Sequence, residues 1–337
     1  MATQTMRAVQ VTKAGAPFVC TEIPVPEPGH GLVRVRVHAC GVCGGDAIVR
    51  NGLMGVTLPR VPGHEIGGVI DAIGEGVTDW RIGQRVGVGW QGGYCTTCEF
   101  CRAGDFTNCV RAQVVGLSYD GGYAEYLVAP QLALARIPDE LSFEEAGPLM
   151  CAGITTFNAL RNCGARVGET VAIHGIGGLG HLAVQFAAKM GFRTIAINLR
   201  RDKEALSRQL GADDFIDSAD GSAGERLAKM GGAAAIISTA GFAAAQTDLI
   251  QGLRPNGHLV LIAAEHGAAL QVHGEALQFG RRGVVGWYSG HAKDSEETMA
   301  FAVLKGIRPI VETHPLADAE NTFVNMSKAR YRAVLTM

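Results

Sequence analysis

At 337 residues the chain is too long for one ordinary hydrophobic core, which predicts two domains. Hydrophobic residues make up 47% and charged residues 18%, so there is ample apolar surface to bury; a formal net charge of −2 leaves no electrostatic footprint for nucleic acid or anionic lipid. A small-molecule ligand is therefore expected, with no nucleic-acid and no membrane partner. The 46 glycines and an aromatic content of 6% fit a turn-rich α/β chain better than an all-helical one. Residues 1–6 contain no apolar signal region, and no uninterrupted run of about 18 apolar residues follows, so a cytoplasmic location is expected. In such a compartment nine cysteines are read as ligands, catalytic groups or core residues before disulfides.

Residues 6–11 read as a first strand and 32–38 as a clearer one, with Val33, Val35 and Val37 on one face and Arg34, Arg36 and His38 on the other. Such alternation marks a half-buried antiparallel strand. Further extended runs are predicted at 65–73 and 85–88, making the first part mostly β. Three separated stretches in and after it, Cys43-Gly44-Gly45-Asp46, Gly63-His64-Glu65 and Met150-Cys151-Ala152, together supply two thiolates and an imidazole, a donor set suited to one metal ion.

A loop over 91–112 carries Cys95, Cys98, Cys101 and Cys109, separated by two, two and seven residues. That spacing lets a short loop fold around one tetrahedral ion. A ferredoxin run would continue with three residues and a Cys-Pro, whereas here seven intervene and Val110 follows Cys109. A structural zinc is therefore expected, since all four positions would be filled by protein. Ser142-Phe143-Glu144-Glu145 then fits a capping box opening a helix, and a second helix is predicted over 151–160.

From 170 the pattern alternates strand and helix. Strands are predicted at 170–174, 194–198, 234–238, 258–263 and 283–285, with helices at 179–190 and 203–210 and Gly211 as a C-cap. Regular alternation implies a parallel sheet covered by helices on both faces. A last strand is predicted at 332–336. His174-Gly175-Ile176-Gly177-Gly178-Leu179-Gly180 places Gly175, Gly177 and Gly180 in G-x-G-x-x-G between a strand and a helix, the context in which this pattern cradles a dinucleotide pyrophosphate. Eighteen residues beyond Gly180, where a carboxylate would bind the ribose of NAD, stands Asn198, followed by Leu199, Arg200 and Arg201. A lost carboxylate and two gained guanidinium groups favour the 2′-phosphate of NADP over NAD.

Taken together, Val61-Pro62-Gly63-His64-Glu65, Gly147-Pro148-Leu149-Met150-Cys151-Ala152-Gly153-Ile154-Thr155, Gly177-Gly178-Leu179-Gly180-His181 and Lys328-Ala329-Arg330-Tyr331-Arg332 carry a resemblance over nearly the whole chain. The sequence resembles the zinc-dependent alcohol dehydrogenases of the medium-chain dehydrogenase/reductase superfamily, of the bacterial and yeast type. The resemblance implies an α/β chain: a GroES-like, mainly β catalytic domain over 1–150 and 288–337, and a doubly wound parallel-sheet (Rossmann) domain over 151–287. It implies Cys43, His64 and Cys151 as ligands of a catalytic zinc, the Cys2His set that characterises alcohol dehydrogenases, with Glu65 as an exchangeable carboxylate and Asp46 behind His64. It places Trp90 in the substrate pocket with positions 45 and 48, Thr155 near the nicotinamide, and Arg332 on the cofactor pyrophosphate. Two zinc ions per chain, a small alcohol or aldehyde substrate and assembly into a homotetramer or homodimer follow from the same resemblance.

One departure stands out. The family usually carries Ser or Thr two residues after the first zinc cysteine, and often a histidine three residues further on, to pass the substrate proton outward. Here those positions are Gly45 and Ile48, so an atypical proton step is expected. Two rival readings are a zinc-free quinone reductase of the same superfamily and a non-catalytic NADPH-binding protein derived from a dehydrogenase; retention of Cys43, His64 and Cys151 argues against both.

Overall fold

The computed structural model describes residues 4–326 and 331–337. The first three residues of the expected signal-free N-terminus, and Lys328, Ala329 and Arg330 of the terminal motif, lie outside the described residues. The chain forms two compact units, Met1–Ile154 with Ser289–Met337, and Thr155–Tyr288. The first break falls at Ile154 rather than 150, since the helical turn carrying Cys151 stays with the first unit.

In the first unit, strand Leu32–Gly41 is central to a seven-stranded sheet. Its valines Val33, Val35 and Val37 are buried, each worth roughly 1.5–3 kcal/mol of apolar burial, while Arg34 on the other face forms a two-pronged bond to Asp71. Ile66–Ile73 and Tyr126–Pro130 flank it antiparallel. Arg85–Val88 and Leu134–Arg136 continue one side, and Arg332–Thr336 with Val311–Pro315 the other. Three chain segments converge at one end of this sheet. Cys43 follows the end of Leu32–Gly41, His64 and Glu65 precede Ile66–Ile73, and Arg332 opens the last strand, whose Val334 pairs with Gly41. The extended runs expected at 6–11, 32–38, 65–73 and 332–336 correspond to strands Thr5–Gln10, Leu32–Gly41, Ile66–Ile73 and Arg332–Thr336.

Cys151 arrives from a helix. The predicted capping box is formed: the Glu145 amide donates to Ser142 Oγ, and the Ser142 amide to the Glu145 carboxylate. The helix it opens, Phe143–Pro148, runs into a π-turn, Leu149–Gly153, and then into helix Ile154–Arg161. The expected single helix over 151–160 is thus a wide turn followed by a regular helix. A turn of this kind is often found at functional sites, and Cys151 is its middle residue.

The second unit is a six-stranded parallel sheet in the order Asp214–Asp217, Arg193–Asn198, Thr170–His174, Ala233–Ser238, Leu253–Leu261, Gly283–Gly286. Counted along the chain this is 3-2-1-4-5-6, the doubly wound order that binds dinucleotides where the order reverses. The reversal lies between Thr170–His174 and Ala233–Ser238, at His174 and Ser238. Ala172, Ile195, Ile197, Ile236 and Leu259 form the core beneath. Gly211 has φ +110°, the left-handed stop expected of it. Among the described residues, no helix is long and apolar enough to cross a membrane.

Because the capping box starts the run that delivers Cys151, Ser142→Ala is expected to destabilise the first unit by about 1 kcal/mol. A lowered thermal unfolding midpoint by calorimetry checks it.

Candidate metal centres and dinucleotide turn

Cys43, His64, Glu65 and Cys151 each offer a ligand atom, and these atoms lie within 4.8 Å of one another. The Cys43 and Cys151 sulfurs are 3.9 Å apart, close to the roughly 3.8 Å edge of a tetrahedron with zinc–sulfur bonds of about 2.3 Å. His64 Nε2 and Glu65 Oε2 are both buried without a hydrogen-bond partner. Orphaned buried acceptors are costly, and a cation among them would satisfy both at once. The donor set therefore fits a zinc ion.

Without an ion the four groups share protons among themselves, and an ion that binds has to displace them. The Cys43 thiol lies well below its usual range, through its bond with Cys151 first and then through His64 and Arg332, against burial. The same bond and burial push Cys151 well up. One thiolate therefore forms readily, and a second needs a cation beside it. Burial disfavours a charged His64, yet Asp46 and Cys43 hold its pKa well above the ordinary value. Burial raises Glu65 to about 7, with Arg332 opposing.

Asp46 is fully buried. Its Oδ1 lies 3.1 Å from His64 Nδ1 and accepts from the Gly63 amide at 3.2 Å; its Oδ2 accepts from the Cys43 amide at 3.0 Å. A carboxylate on Nδ1 leaves Nε2 as the free ligand atom. Arg332, expected on the pyrophosphate, is tied to the metal corner by one end of its side chain. Its guanidinium is buried and donates to Glu65 Oε1 and to the Val42 carbonyl, because the fully buried Glu65 carboxylate beside it requires a cationic partner. Trp90 packs edge-on against His64 with ring centres 4.9 Å apart. Ile48 packs on the core of the first unit. A Cβ on Gly45 would stand 3.0 Å from His64 Cε1 and 3.1 Å from Trp90 Cζ3, so the place of a family hydroxyl is hemmed in by two rings.

The four loop cysteines form a second cluster, with Cys95, Cys98, Cys101 and Cys109 ligand atoms within 4.8 Å and Cys95 and Cys101 sulfurs 4.0 Å apart. The Cys98 amide donates to Cys95 Sγ, and the Cys95 and Arg111 amides donate to Cys109 Sγ, each at 3.3 Å. Backbone donors from Thr97 and Cys98 bring Cys95 down to about 5. Amides aimed at sulfur stabilise thiolates, which suits a four-thiolate zinc site. The loop is held from outside by Gln91 Nε2, which donates to the Phe106 carbonyl at 3.1 Å, and by Tyr94 stacked on Phe106.

In the second unit the glycine turn divides its roles. Gly175 has φ +87°, and a Cβ there would press on Ala240 Cβ at 2.7 Å. A Cβ on Gly180 would overlap the Gly175 carbonyl, and one on Gly177 would meet nothing within 4 Å. Packing thus requires the outer glycines, while Gly177 leaves a bare, open backbone where a pyrophosphate could approach. Gly178 and Leu179 lead from it into helix Gly180–Lys189, whose N-terminus has the polarity for phosphate. Thr239, which no local pattern marks, pins the turn: its Oγ1 donates to the Gly175 carbonyl, 2.6 Å, and its amide to the His174 carbonyl, 2.9 Å. It follows an apolar strand at the reversal of strand order, the one cue that points to it.

Asn198 is turned inward, its Oδ1 accepting from the Ile176 amide at 3.0 Å. Arg200 sits at φ +75° with its amide on Asp217 Oδ1 at 2.8 Å. Arg201 is already paired with Glu204 and Asp220; no carboxylate pairs the Arg200 side chain among the described residues. Of the two arginines, Arg200 is the one with charge to spare. Thr155 is buried in helix Ile154–Arg161.

Residues 29–139 match the alcohol dehydrogenase GroES-like domain family and residues 178–304 the zinc-binding dehydrogenase family. The chain belongs to the zinc-dependent alcohol dehydrogenases of the medium-chain superfamily. It is 41% identical to the alcohol dehydrogenase notN of Aspergillus sp. (strain MF297-2), over 99% of this chain and 98% of that one. An alcohol dehydrogenase of Geobacillus stearothermophilus is 39% identical over 96% and 97%. Among solved structures, a cinnamyl alcohol dehydrogenase from Sorghum bicolor superposes with a TM-score of 0.89 at 29% identity, covering 99% of this chain and 98% of that chain. The protein is thus a zinc-dependent oxidoreductase that uses a nicotinamide cofactor, with a GroES-like and a Rossmann domain.

Burial brings the His174 imidazole down to about 4, against about 6.5 in an unfolded chain. Between those values the unfolded chain holds a proton that the folded chain refuses. The stability contributed is therefore complete above pH 6.5 and is lost as pH falls towards 4, by up to about 3 kcal/mol. His174→Ser is expected to show a shallower fall of its thermal midpoint between pH 7 and 4.5 than the wild-type chain, measured in parallel scans.

Proposed function

We propose that the enzyme interconverts an alcohol and its aldehyde or ketone with NADP preferred over NAD, at a catalytic zinc held by Cys43, His64 and Cys151, and that Cys95, Cys98, Cys101 and Cys109 hold a second, structural zinc. The observation that carries the reading is the coincidence of two sulfurs at tetrahedral spacing with two orphaned buried acceptors, His64 Nε2 and Glu65 Oε2. When bound, zinc supplies a Lewis acid for the substrate oxygen, and the nicotinamide supplies or accepts the hydride. The chain does the rest. Asp46 fixes the His64 ring, Arg332 anchors one oxygen of Glu65 and leaves the other free, and Trp90 forms an apolar wall beside His64. Gly175, Gly177 and Gly180 receive the pyrophosphate, and Arg200 meets a 2′-phosphate. The quinone-reductase and binding-protein alternatives leave both clusters of ligands unexplained.

We also propose a homodimer or homotetramer working in the cytoplasm. Edge strand Gly283–Gly286 leaves Val285 41% exposed, the kind of open edge that sheets cover by pairing.

The reading is tested on one sample of purified protein, by metal analysis and by nicotinamide absorbance with NADPH or NADH and a panel of aldehydes. Two zinc per chain and turnover with NADPH are expected, and Arg200→Ala should lower the NADPH-to-NADH ratio of kcat/KM by roughly tenfold, one lost charged contact. Absence of zinc together with absence of turnover sinks the proposal.

Gly45→Ser restores the family hydroxyl but crowds both His64 and Trp90. Alone it is expected to lower kcat several-fold. With Trp90→Leu to make room, kcat should recover and its pH profile flatten, a coupling of about 0.5–3 kcal/mol in the double-mutant cycle. Additive effects would refute the crowding.

A further inference from the structure

Asp46 accepts a fourth hydrogen bond, from Tyr123 Oη to Oδ2 at 2.8 Å. Tyr123 is 0% exposed and comes from a segment 77 residues away in sequence. It is laid against the ligand corner by a ladder of backbone bonds: Gly121 N to the Val61 carbonyl, Tyr123 N to the Pro62 carbonyl and Gly122 N to the Gly63 carbonyl, between 2.8 and 3.0 Å. Its ring occupies the space a side chain on Gly63 would need; Gly63 has φ +99°, and a Cβ there would overlap Tyr123 Cδ1. Phe18 meets the ring edge-on at 5.9 Å, packing its other side. Burial and Asp46 push the Tyr123 hydroxyl well above its usual range, so it stays protonated and acts as a donor.

A carboxylate has about four lone-pair sites, and those of Asp46 are filled by Cys43 N, Gly63 N, His64 Nδ1 and Tyr123 Oη. Two of these donors belong to the peptide framework around Cys43 and His64, and one to the His64 ring. Without the phenol, Oδ2 keeps only the Cys43 amide among these, and the orientation of the carboxylate loses one of its four fixing bonds.

We propose that Tyr123 is a positioning residue of the metal centre, its hydroxyl locking the Asp46 carboxylate in the orientation that aims His64 Nε2 at the ion. The proposal rests on the reading of Cys43, His64 and Cys151 as zinc ligands. Outer-layer partners of metal-ligating histidines typically alter affinity 10–100-fold, and an effect of that size is expected.

The test is graded zinc release from the holoenzyme to a chromophoric chelator, in wild type, Cys43→Ala, Tyr123→Phe, Asp46→Asn and the Tyr123→Phe/Asp46→Asn pair. Cys43→Ala should lose one zinc equivalent and define the catalytic site; if it loses none, the ligand reading fails, whatever Tyr123 does. Tyr123→Phe, which keeps the ring, should weaken that equivalent 10–100-fold, leave the four-cysteine equivalent unchanged, and add little to Asp46→Asn. Wild-type retention in Tyr123→Phe, equal weakening of both equivalents, or full additivity with Asp46→Asn overturns the proposal. So does a Tyr123→Phe chain that fails to fold, since collapse would make the tyrosine a packing residue.

Discussion

A carboxylate withdrawn from water must have its charge met inside the fold, and in the catalytic unit that requirement falls on Asp46. Its two oxygens gather donors from the turn after Leu32–Gly41, from the corner before Ile66–Ile73 and from the loop before Tyr126–Pro130. These segments are remote along the chain; strand pairing brings them to one end of the sheet, and Asp46 fixes them to one point there. Satisfying Asp46 is therefore the same structural act as assembling Cys43 and His64 at the distance an ion needs. Leaving any of these donors unpaired would cost about 1–3 kcal/mol, which makes the site a cooperative knot.

Glu65 poses the same requirement one residue further on, and its answer explains the topology. A fully buried carboxylate beside two sulfurs calls for a guanidinium, and Arg332 supplies it from the first position of the last strand. That strand pairs with Leu32–Gly41 through Val334 and Gly41. The ion pair thus gives the C-terminal segment a reason to return to the first unit after the Rossmann domain has intervened. Breaking one half of such a pair would leave a buried charge alone, which is far more damaging than losing both.

The features legible in the sequence are those whose cause is local. Alternation in 32–38, the short extended run at 85–88, the short apolar strand at 170–174 and the Ser142–Glu145 reciprocity each act within a few residues, and the structure has them where the pattern puts them. Four cysteines in one loop carry their own geometry. The zinc-binding and dinucleotide-binding family traits were likewise readable, because donor identity and glycine spacing are properties of short words. Tyr123 and Thr239 were not. Each acts on a partner more than 60 residues away, and neither residue type distinguishes a core tyrosine or a strand-end threonine from a supporting one. The π-turn around Cys151 escaped for another reason: its residues look helical, and the difference lies in one widened turn. The Arg332–Glu65 pair escaped too, because its two members stand 267 residues apart.

Gly45 ties these strands together. From sequence it is a deletion, a hydroxyl lost from a proton path. In the structure it is also a matter of space, because Trp90 stands edge-on to His64 and a Cβ at residue 45 would need the two rings to give by a few tenths of an ångström. A hydroxyl that close to an indole edge would be poorly placed to relay a proton, since its own hydrogen-bonding directions would be blocked by ring carbon. The apolar wall and the missing hydroxyl therefore suit each other. Neither Gly45 nor Ile48 carries a side-chain polar atom for the substrate proton, and Ile48 is instead packed on the core.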